Sequence, residues 1–373
     1  MLLKLTILPG DGIGPEVIEE AIRVLDVVAP AFGHELTLTR KNIGGAALLA
    51  SKDPLPPDTL QACISSSAVL LGAVGGPSFD DFPSYLRPES GLLKLRRKLG
   101  AFANLRPAVC YAALEDCSPL RSEIVRGTDV LIVRELLGGL YFGEPRLIHG
   151  PAGDRAATNT MRYRESEVER IARIAFELAR SRLRSVVSVD KANVLECSRL
   201  WREVVTQVGN DYPDVKLAHM YVDSAAMSLV MRPRDFDVVL TENMFGDILS
   251  DQAGGIVGSL GLLASASVGG PVALYEPVHG SAPDIAGQSV ANPLGAILSA
   301  AMLLRYSFRL ESEAACIESA VSAVVAQGNR TRDLAKVGQV AIGTSEMGQK
   351  VAASVTEISQ RRSHNETAGE GVA

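Results

Sequence analysis

Short apolar runs, each closed by a turn and followed by an amphipathic stretch, recur along this chain and confine it to very few folds. The runs are Lys4 to Leu8, Ala68 to Val74, Val130 to Val133, Ser185 to Val189, Phe236 to Leu240 and Ala273 to Tyr275. Each has the length and residue content of a buried strand. Glu165 to Arg180 places apolar residues at 168, 171, 172, 175, 178 and 179, the stripe of an amphipathic helix. Helices are also expected over Pro293 to Phe308 and Glu311 to Ala326. Strands alternating with helices predict an α/β protein. Glu144 to Tyr163 carries Pro, Gly and Asn and alternates weakly, as a protruding hairpin or arm does. Gly254 to Gly270 is glycine-rich, and residues 361–373 have the small, polar composition of a disordered tail.

The chain has 373 residues, long enough for two domains with a substantial core. Hydrophobic residues make up 47 % and charged residues 21 %, which excludes a disordered protein. The formal net charge of −6 offers no basic footprint for nucleic acid, so an anionic ligand would need locally clustered arginines. The cysteines Cys63, Cys110, Cys117, Cys197 and Cys316 are scattered and form no C-x-x-C. They read as reduced thiols rather than as a disulfide framework or a zinc site. The start, MLLKLTIL, turns into Pro9-Gly10 too early for a signal peptide, and no apolar run has membrane-spanning length. A cytoplasmic protein is expected.

The first strand leads into Gly10-Asp-Gly-Ile-Gly-Pro15. Pro15 suits the first turn of a helix whose apolar stripe is Val17, Ile18, Ala21, Ile22 and Leu25. The glycine spacing is G-x-G-x-G and not G-x-G-x-x-G, so a Rossmann assignment is declined. Ser90 reads as a possible cap of the helix that carries Leu92 and Arg96 on one face. In Thr241-Glu-Asn-Met-Phe-Gly-Asp-Ile-Leu-Ser-Asp251, Asp247 and Asp251 lie one helical turn apart. Like charges at that spacing repel unless a cation or hydrogen bonds compensate, and hard divalent cations take such oxygen ligands. A solvated helix face is the bland alternative.

Open α/β sheets gather ligands at strand ends, where Arg134, Lys191, Asp223 and Asp247 fall. Solvated loop charges are the alternative for each. Arg96, Arg106 and Arg134 would suit a di- or tricarboxylate if they converge, because guanidinium forks bind carboxylates bidentately. Lys191 lies near Val189 and Val194, where desolvation would lower its pKa toward that of a general base. Tyr141 reads either as a core tyrosine or as a proton donor, and His279 either as a turn residue or as a ligand contact.

Taken together, these segments resemble the β-decarboxylating dehydrogenases that act on isocitrate and isopropylmalate. The motifs are GDGIGPEV at 10–17, ESGLLKLRRKLGAFANLRP at 89–107, VRELLGGLYFG at 133–143 and VDKANVLE at 189–196. YVDSAAM at 221–227, TENMFGDILSD at 241–251 and EPVHGSAPDIAG at 276–287 continue them, so that the likeness spans nearly the whole chain. The resemblance implies a two-domain, isopropylmalate-dehydrogenase-like α/β fold around a central cleft, not a Rossmann fold. One domain would join residues 1–100 to 252–360. Residues 101–251 would form the other, with the arm near 144–163.

By the same resemblance, Asp223, Asp247 and Asp251 bind Mg²⁺ or Mn²⁺, Arg96, Arg106 and Arg134 hold the malate carboxylates, and Lys191 and Tyr141 are base and acid. Gly76, Glu89, His279, Gly280, Ser281, Ala282, Pro283, Asp284, Ile285 and Asn292 are implied cofactor contacts. Asp284, where a carboxylate would receive the adenosine ribose hydroxyls, favours NAD over NADP. Glu89, Leu92, Leu93 and Val194 match the isopropylmalate pattern, which implies oxidative decarboxylation of 3-isopropylmalate to 4-methyl-2-oxopentanoate in leucine biosynthesis. A homodimer with shared sites is implied, Lys191 and Asp223 reaching into the neighbour's site. A sister enzyme acting on homoisocitrate, tartrate or another alkylmalate is the alternative within the class. A non-catalytic regulatory subunit is the alternative outside it, although such a chain would be expected to lack at least one of the catalytic or acidic residues.

Overall fold

Branched aliphatic runs become strands here because both of their faces are covered, as parallel strands between helix layers require. In the computed structural model, which describes residues 1–370 and side chains to 362, the strands are β1 (Leu2–Gly10), β2 (Glu35–Arg40), β3 (Ala68–Ala73), β4 (Ala103–Val109), β5 (Asp129–Glu135) and β6 (Leu147–His149). They continue with β7 (Ala156–Thr158), β8 (Ser185–Asp190), β9 (Lys216–Tyr221), β10 (Val238–Thr241), β11 (Ala264–Val268) and β12 (Ala273–Pro277). The chain divides into two compact units. The first comprises Met1–Gly100, Tyr111–Cys117 and the chain from Gly258, and the second comprises Ala101–Cys110 and Ser118–Val257.

In the first unit the strand order is β2-β1-β3-β12-β11. All neighbours are parallel except β11 and β12. Every residue of β3 is buried. The helix Leu294–Phe308 is buried on all sides from Leu294 to Leu304, the pattern of a helix enclosed by its own domain. The helices Gly14–Ala31, Glu311–Ala326 and Thr344–Glu370 surround it.

In the second unit the order is β4-β5-β10-β8-β9. β4 runs antiparallel to β5, and the remaining pairs are parallel. The helix Glu165–Arg180 buries Val168, Ile171, Ala172, Ala175, Phe176 and Ala179 against it, each large apolar side chain contributing about 1.5–3 kcal/mol. Its start is fixed by Glu167, which accepts from the Arg164 N–H at 2.9 Å, one half of a capping box. β6 and β7 form an antiparallel two-stranded arm, with Leu147 paired to Thr158.

Some local expectations differ from the structure. Ser90 does not cap its helix: Pro88 begins it, and Ser90 Oγ donates back to the carbonyls of Tyr85 and Arg87. The first turn is thus started by proline geometry. The glycine-rich stretch from 254 holds the last turn of the helix Asn243–Val257 and the buried strand β11. That helix lies wholly in the second unit, which ends at Val257 and not at 251, while Tyr111–Cys117 belongs to the first unit. The expected disordered tail begins at 361, but the last helix continues to Glu370. Residues 371–373, and the side chains from 363, lie outside the described residues.

Candidate active site

Register places the charged strand ends side by side. Arg134 of β5 and Val189 of β8 both pair with Thr241 of β10, and Asp190 pairs with Tyr221 of β9 one row further on. Four chain segments therefore deliver Arg134, Lys191, Asp223 and the helix after Thr241 to the same end of the second unit's strands, as the strand-end rule predicts.

The centre is Asp247, on the helix Asn243–Val257. Arg134, a buried residue, donates Nη1 to Asp247 Oδ1, and the Tyr141 hydroxyl donates to Asp247 Oδ2 at 2.9 Å. Arg106, also buried, reaches Asp247 and Asp251 at 3.4 Å each and donates to Ser250 Oγ at 2.7 Å. Gly246 makes the approach possible, because a β-carbon there would collide with Thr241 Oγ1 and the Arg134 side chain. Asp247 is thus half-buried, while the Asp251 side chain keeps 57 % of its surface exposed. They are tied to two arginines on facing strands.

Electrostatics follow from this packing. Desolvation pushes the Tyr141 hydroxyl above its ordinary pKa, and the Asp247 charge adds to it, so Tyr141 keeps its proton at neutral pH. Asp251 is also raised, by desolvation first, with Arg106 pulling the other way. Counted as formal charges, Arg106 and Arg134 are balanced by Asp247 and Asp251.

Lys191 and Asp223 form a separate ion pair, Nζ to Oδ1 at 2.5 Å, on the outer side of the strands. The Lys191 ammonium holds the Asp223 carboxyl below its ordinary value. The apolar surroundings expected for Lys191 are not what the fold provides: Val194 is 63 % exposed, and the lysine's neighbour is a carboxylate. The reason is that Asp190 ends β8, so Lys191 and the residues after it leave the sheet for a solvated turn. Among the described residues, no three His, Cys, Asp or Glu side chains gather into one metal site. Asp223 does not join Asp247 and Asp251 within the chain.

In the first unit, Arg96 and Leu92 share a face of the helix Pro88–Leu99, and Leu92 and Leu93 are half-buried. Arg96 donates to the buried Glu276 at 2.6 Å, while its buried Nε has no partner among the described residues. A second feature is a cavity of about 560 Å³ lined by His279, Ala282, Asp284, Ile285, Asn292 and Ile13, among others. His279 Nε2 is buried with no hydrogen-bond partner among the described residues, and burial lowers the imidazole pKa. Gly76, Glu89, Gly280, Ser281 and Pro283 are not among the residues lining this cavity. Ser281 instead accepts the Ile13 N–H at 2.8 Å. Asn292 caps the helix Leu294–Phe308 through Oδ1 and donates to Asp333 at 3.0 Å, so its polar atoms already have protein partners. Glu89 is exposed, with its carboxylate beside Gly75.

Residue-by-residue reading missed Asn243, Glu276 and Asp333. The first two stand within quoted motifs, the signal available in the sequence, while their placement beside an arginine is set by the fold.

A family model described as isocitrate/isopropylmalate dehydrogenase matches residues 4–351. Fold, strand-end site and match together define a dehydrogenase. More particularly, the chain belongs to the isocitrate/isopropylmalate dehydrogenase family. It is 52 % identical over 355 residues to 3-isopropylmalate dehydrogenase of Aquifex aeolicus, covering 95 % of this chain and 98 % of that protein. It is 55 % identical over 357 residues to 3-isopropylmalate dehydrogenase of Moorella thermoacetica, covering 95 % and 100 %. Among solved structures, isocitrate dehydrogenase from Methylococcus capsulatus aligns with a TM-score of 0.85 at 35 % identity, over 95 % of this chain and 99 % of that one. The expected family and its α/β fold are thereby established.

Proposed function

We propose that this chain catalyses the NAD-dependent oxidative decarboxylation of 3-isopropylmalate to 4-methyl-2-oxopentanoate in leucine biosynthesis. The full-length likeness to enzymes named 3-isopropylmalate dehydrogenase carries this assignment. The half-buried Leu92 and Leu93 support it, since they offer an isopropyl group an apolar wall and offer a third carboxylate no polar partner.

The donor sets suit the implied cofactors. Asp247 and Asp251 present only oxygen ligands, which match a hard divalent cation such as Mg²⁺ or Mn²⁺. In our reading the Asp223 that completes the set comes from a second copy of the chain. The cavity holding the unpartnered His279 Nε2 suits an adenosine moiety, and Asp284 on its lining would repel a 2′-phosphate, favouring NAD. When bound, the dinucleotide accepts hydride from C2 and the cation offsets negative charge on the substrate oxygens.

Arg96, Arg106 and Arg134 bind and orient the carboxylates. Lys191 Nζ, after giving its own proton to solvent, would accept the proton of the 2-hydroxyl, and Asp223 would hold the ammonium that re-forms. Tyr141, whose raised pKa retains its proton, delivers that proton to C3 after the carboxylate has left. Exposed Met227, Val230 and Met231 on the helix Val222–Met231, with exposed Ile248 on the helix packed against it, support a homodimer. A cytoplasmic setting accords with five free cysteines, and among the described residues no helix is long and apolar enough to cross a membrane.

A substrate panel tests the assignment: 3-isopropylmalate, isocitrate, homoisocitrate and tartrate, each with NAD or NADP and Mn²⁺. The highest kcat/KM is expected for 3-isopropylmalate with NAD. A preference for any other acid would transfer the chain to a sister activity. Dilution to monomer should abolish turnover, and an active monomer would refute shared sites.

A further inference from the structure

Asn243 is fully buried, and its carboxamide oxygen is turned onto one arginine. Its carboxamide oxygen accepts from Arg134 Nη2 at 2.7 Å and from Arg134 Nε at 3.1 Å. Its Nδ2 donates to the Gly138 carbonyl at 3.1 Å, and its backbone N–H donates to the Tyr163 hydroxyl at 2.9 Å. Gly138 begins the turn that carries Tyr141. One neutral side chain thus grips an edge of the Arg134 guanidinium, while Asp247 takes Nη1.

We infer that Asn243 is a positioning residue for substrate binding, orienting Arg134 with a neutral acceptor so that the guanidinium keeps positive charge for an incoming carboxylate. Helix formation does not demand asparagine here. The helix begins at Asn243, where an acidic residue is favoured by the helix dipole. Aspartate would accept the same two Arg134 bonds, but it would bracket the guanidinium between two carboxylates. The Arg134 bonds would tolerate either residue, whereas the Gly138 carbonyl, which needs the Nδ2 donor, and the charge beside Arg134 both select the amide.

This inference rests on the proposed role of Arg134 in the isopropylmalate reaction. The test compares wild type, Asn243→Asp and Asn243→Ala by steady-state kinetics with 3-isopropylmalate, NAD and Mn²⁺, alongside thermal melts. Asn243→Asp should melt within about 4 °C of wild type. Its KM for the acid should rise about 10- to 100-fold, with the KM for NAD unchanged. Asn243→Ala, which loosens Arg134 without adding charge, should raise the same KM less. A folded Asn243→Asp with unchanged acid KM overturns the inference, as do equal rises in both KM values or a larger effect from alanine. If Asn243→Asp fails to fold, Asn243→Ala decides: a selective rise in acid KM supports the role, and no rise overturns it. Absence of turnover in wild type would remove the functional assignment itself, a different failure from a wild-type-like variant.

Discussion

Two turns in this molecule have the same topology and different jobs. Gly10 to Gly14 in the first unit and Thr241 to Asp247 in the second each lie where a parallel strand passes into a helix, and each contains a glycine and an aspartate, Gly246 and Asp247 standing within the start of the helix Asn243–Val257. In the first turn, Gly10 and Gly12 have φ of +75° and +58°, and β-carbons there would collide with the carbonyls of Ala73 and Ser281. This chain's own backbone therefore packs directly against both glycines. Asp11 accordingly accepts three backbone N–H groups, from Gly45 and Ala46 at 2.8 Å and from Gly75 at 2.9 Å. In the second turn, the glycine admits an arginine and the aspartate accepts from Arg134 and Tyr141. One turn holds backbone together, and the other holds charge at a strand end. Glycine and aspartate after a strand do not distinguish the two, but the donors to the carboxylate do.

The largest effect should break the first turn. Gly10→Val must adopt a left-handed backbone and displace the Ala73 carbonyl, which should cost about 4 kcal/mol or more and leave little folded protein. Urea unfolding measures it, and near wild-type stability would refute the backbone role. Next comes the second unit, where Lys191→Ala should reduce oxidation about 10²- to 10⁴-fold while the melting temperature stays within about 2 °C, because the ion pair is exposed. Tyr141→Phe should retain part of the oxidation and slow decarboxylation about 100-fold, seen by following NADH and CO₂ separately. Wild-type turnover in both variants would remove the acid–base assignment.

Asp11→Asn sharpens the contrast further. It should destabilise by about 1–3 kcal/mol through lost backbone acceptance and leave the KM for the acid unchanged, whereas a selective KM change would give the first turn a chemical role. The smallest effect concerns pH. Burial lowers the pKa of His279 in the folded state, so the unfolded chain binds its proton first. The associated stability is present above the ordinary histidine range and is lost as pH falls through the lower folded value. His279→Asn should therefore flatten the decline of the melting temperature below pH ~6.5. Only partial flattening is expected, since His219 is lowered in the same way, and identical slopes would exclude the contribution.

Several elements were legible because local pattern and burial agree in them. The helix Glu165–Arg180 and the strand Ser185–Asp190 show their periods openly. β11 did not, because Ala264–Val268 is made of small residues inside a glycine-rich stretch, and it is revealed as a strand by pairing, as with β12. The setting of Lys191 was misjudged because flanking valines describe sequence neighbours, while exposure depends on where β8 ends.

By itself the sequence determined an α/β chain, its family and the identities of the charged residues at the strand ends. Those follow from short-range periodicity and from motifs written contiguously. Only the tertiary structure decided that Asp247 is shared by Arg134, Arg106 and Tyr141, that Asn243 clamps Arg134, and that Asp223 lies with Lys191. Such pairings join residues up to 141 positions apart, as Arg106 and Asp247 are. They are set by strand register and by the space a glycine leaves, and neither quantity is carried by any one segment.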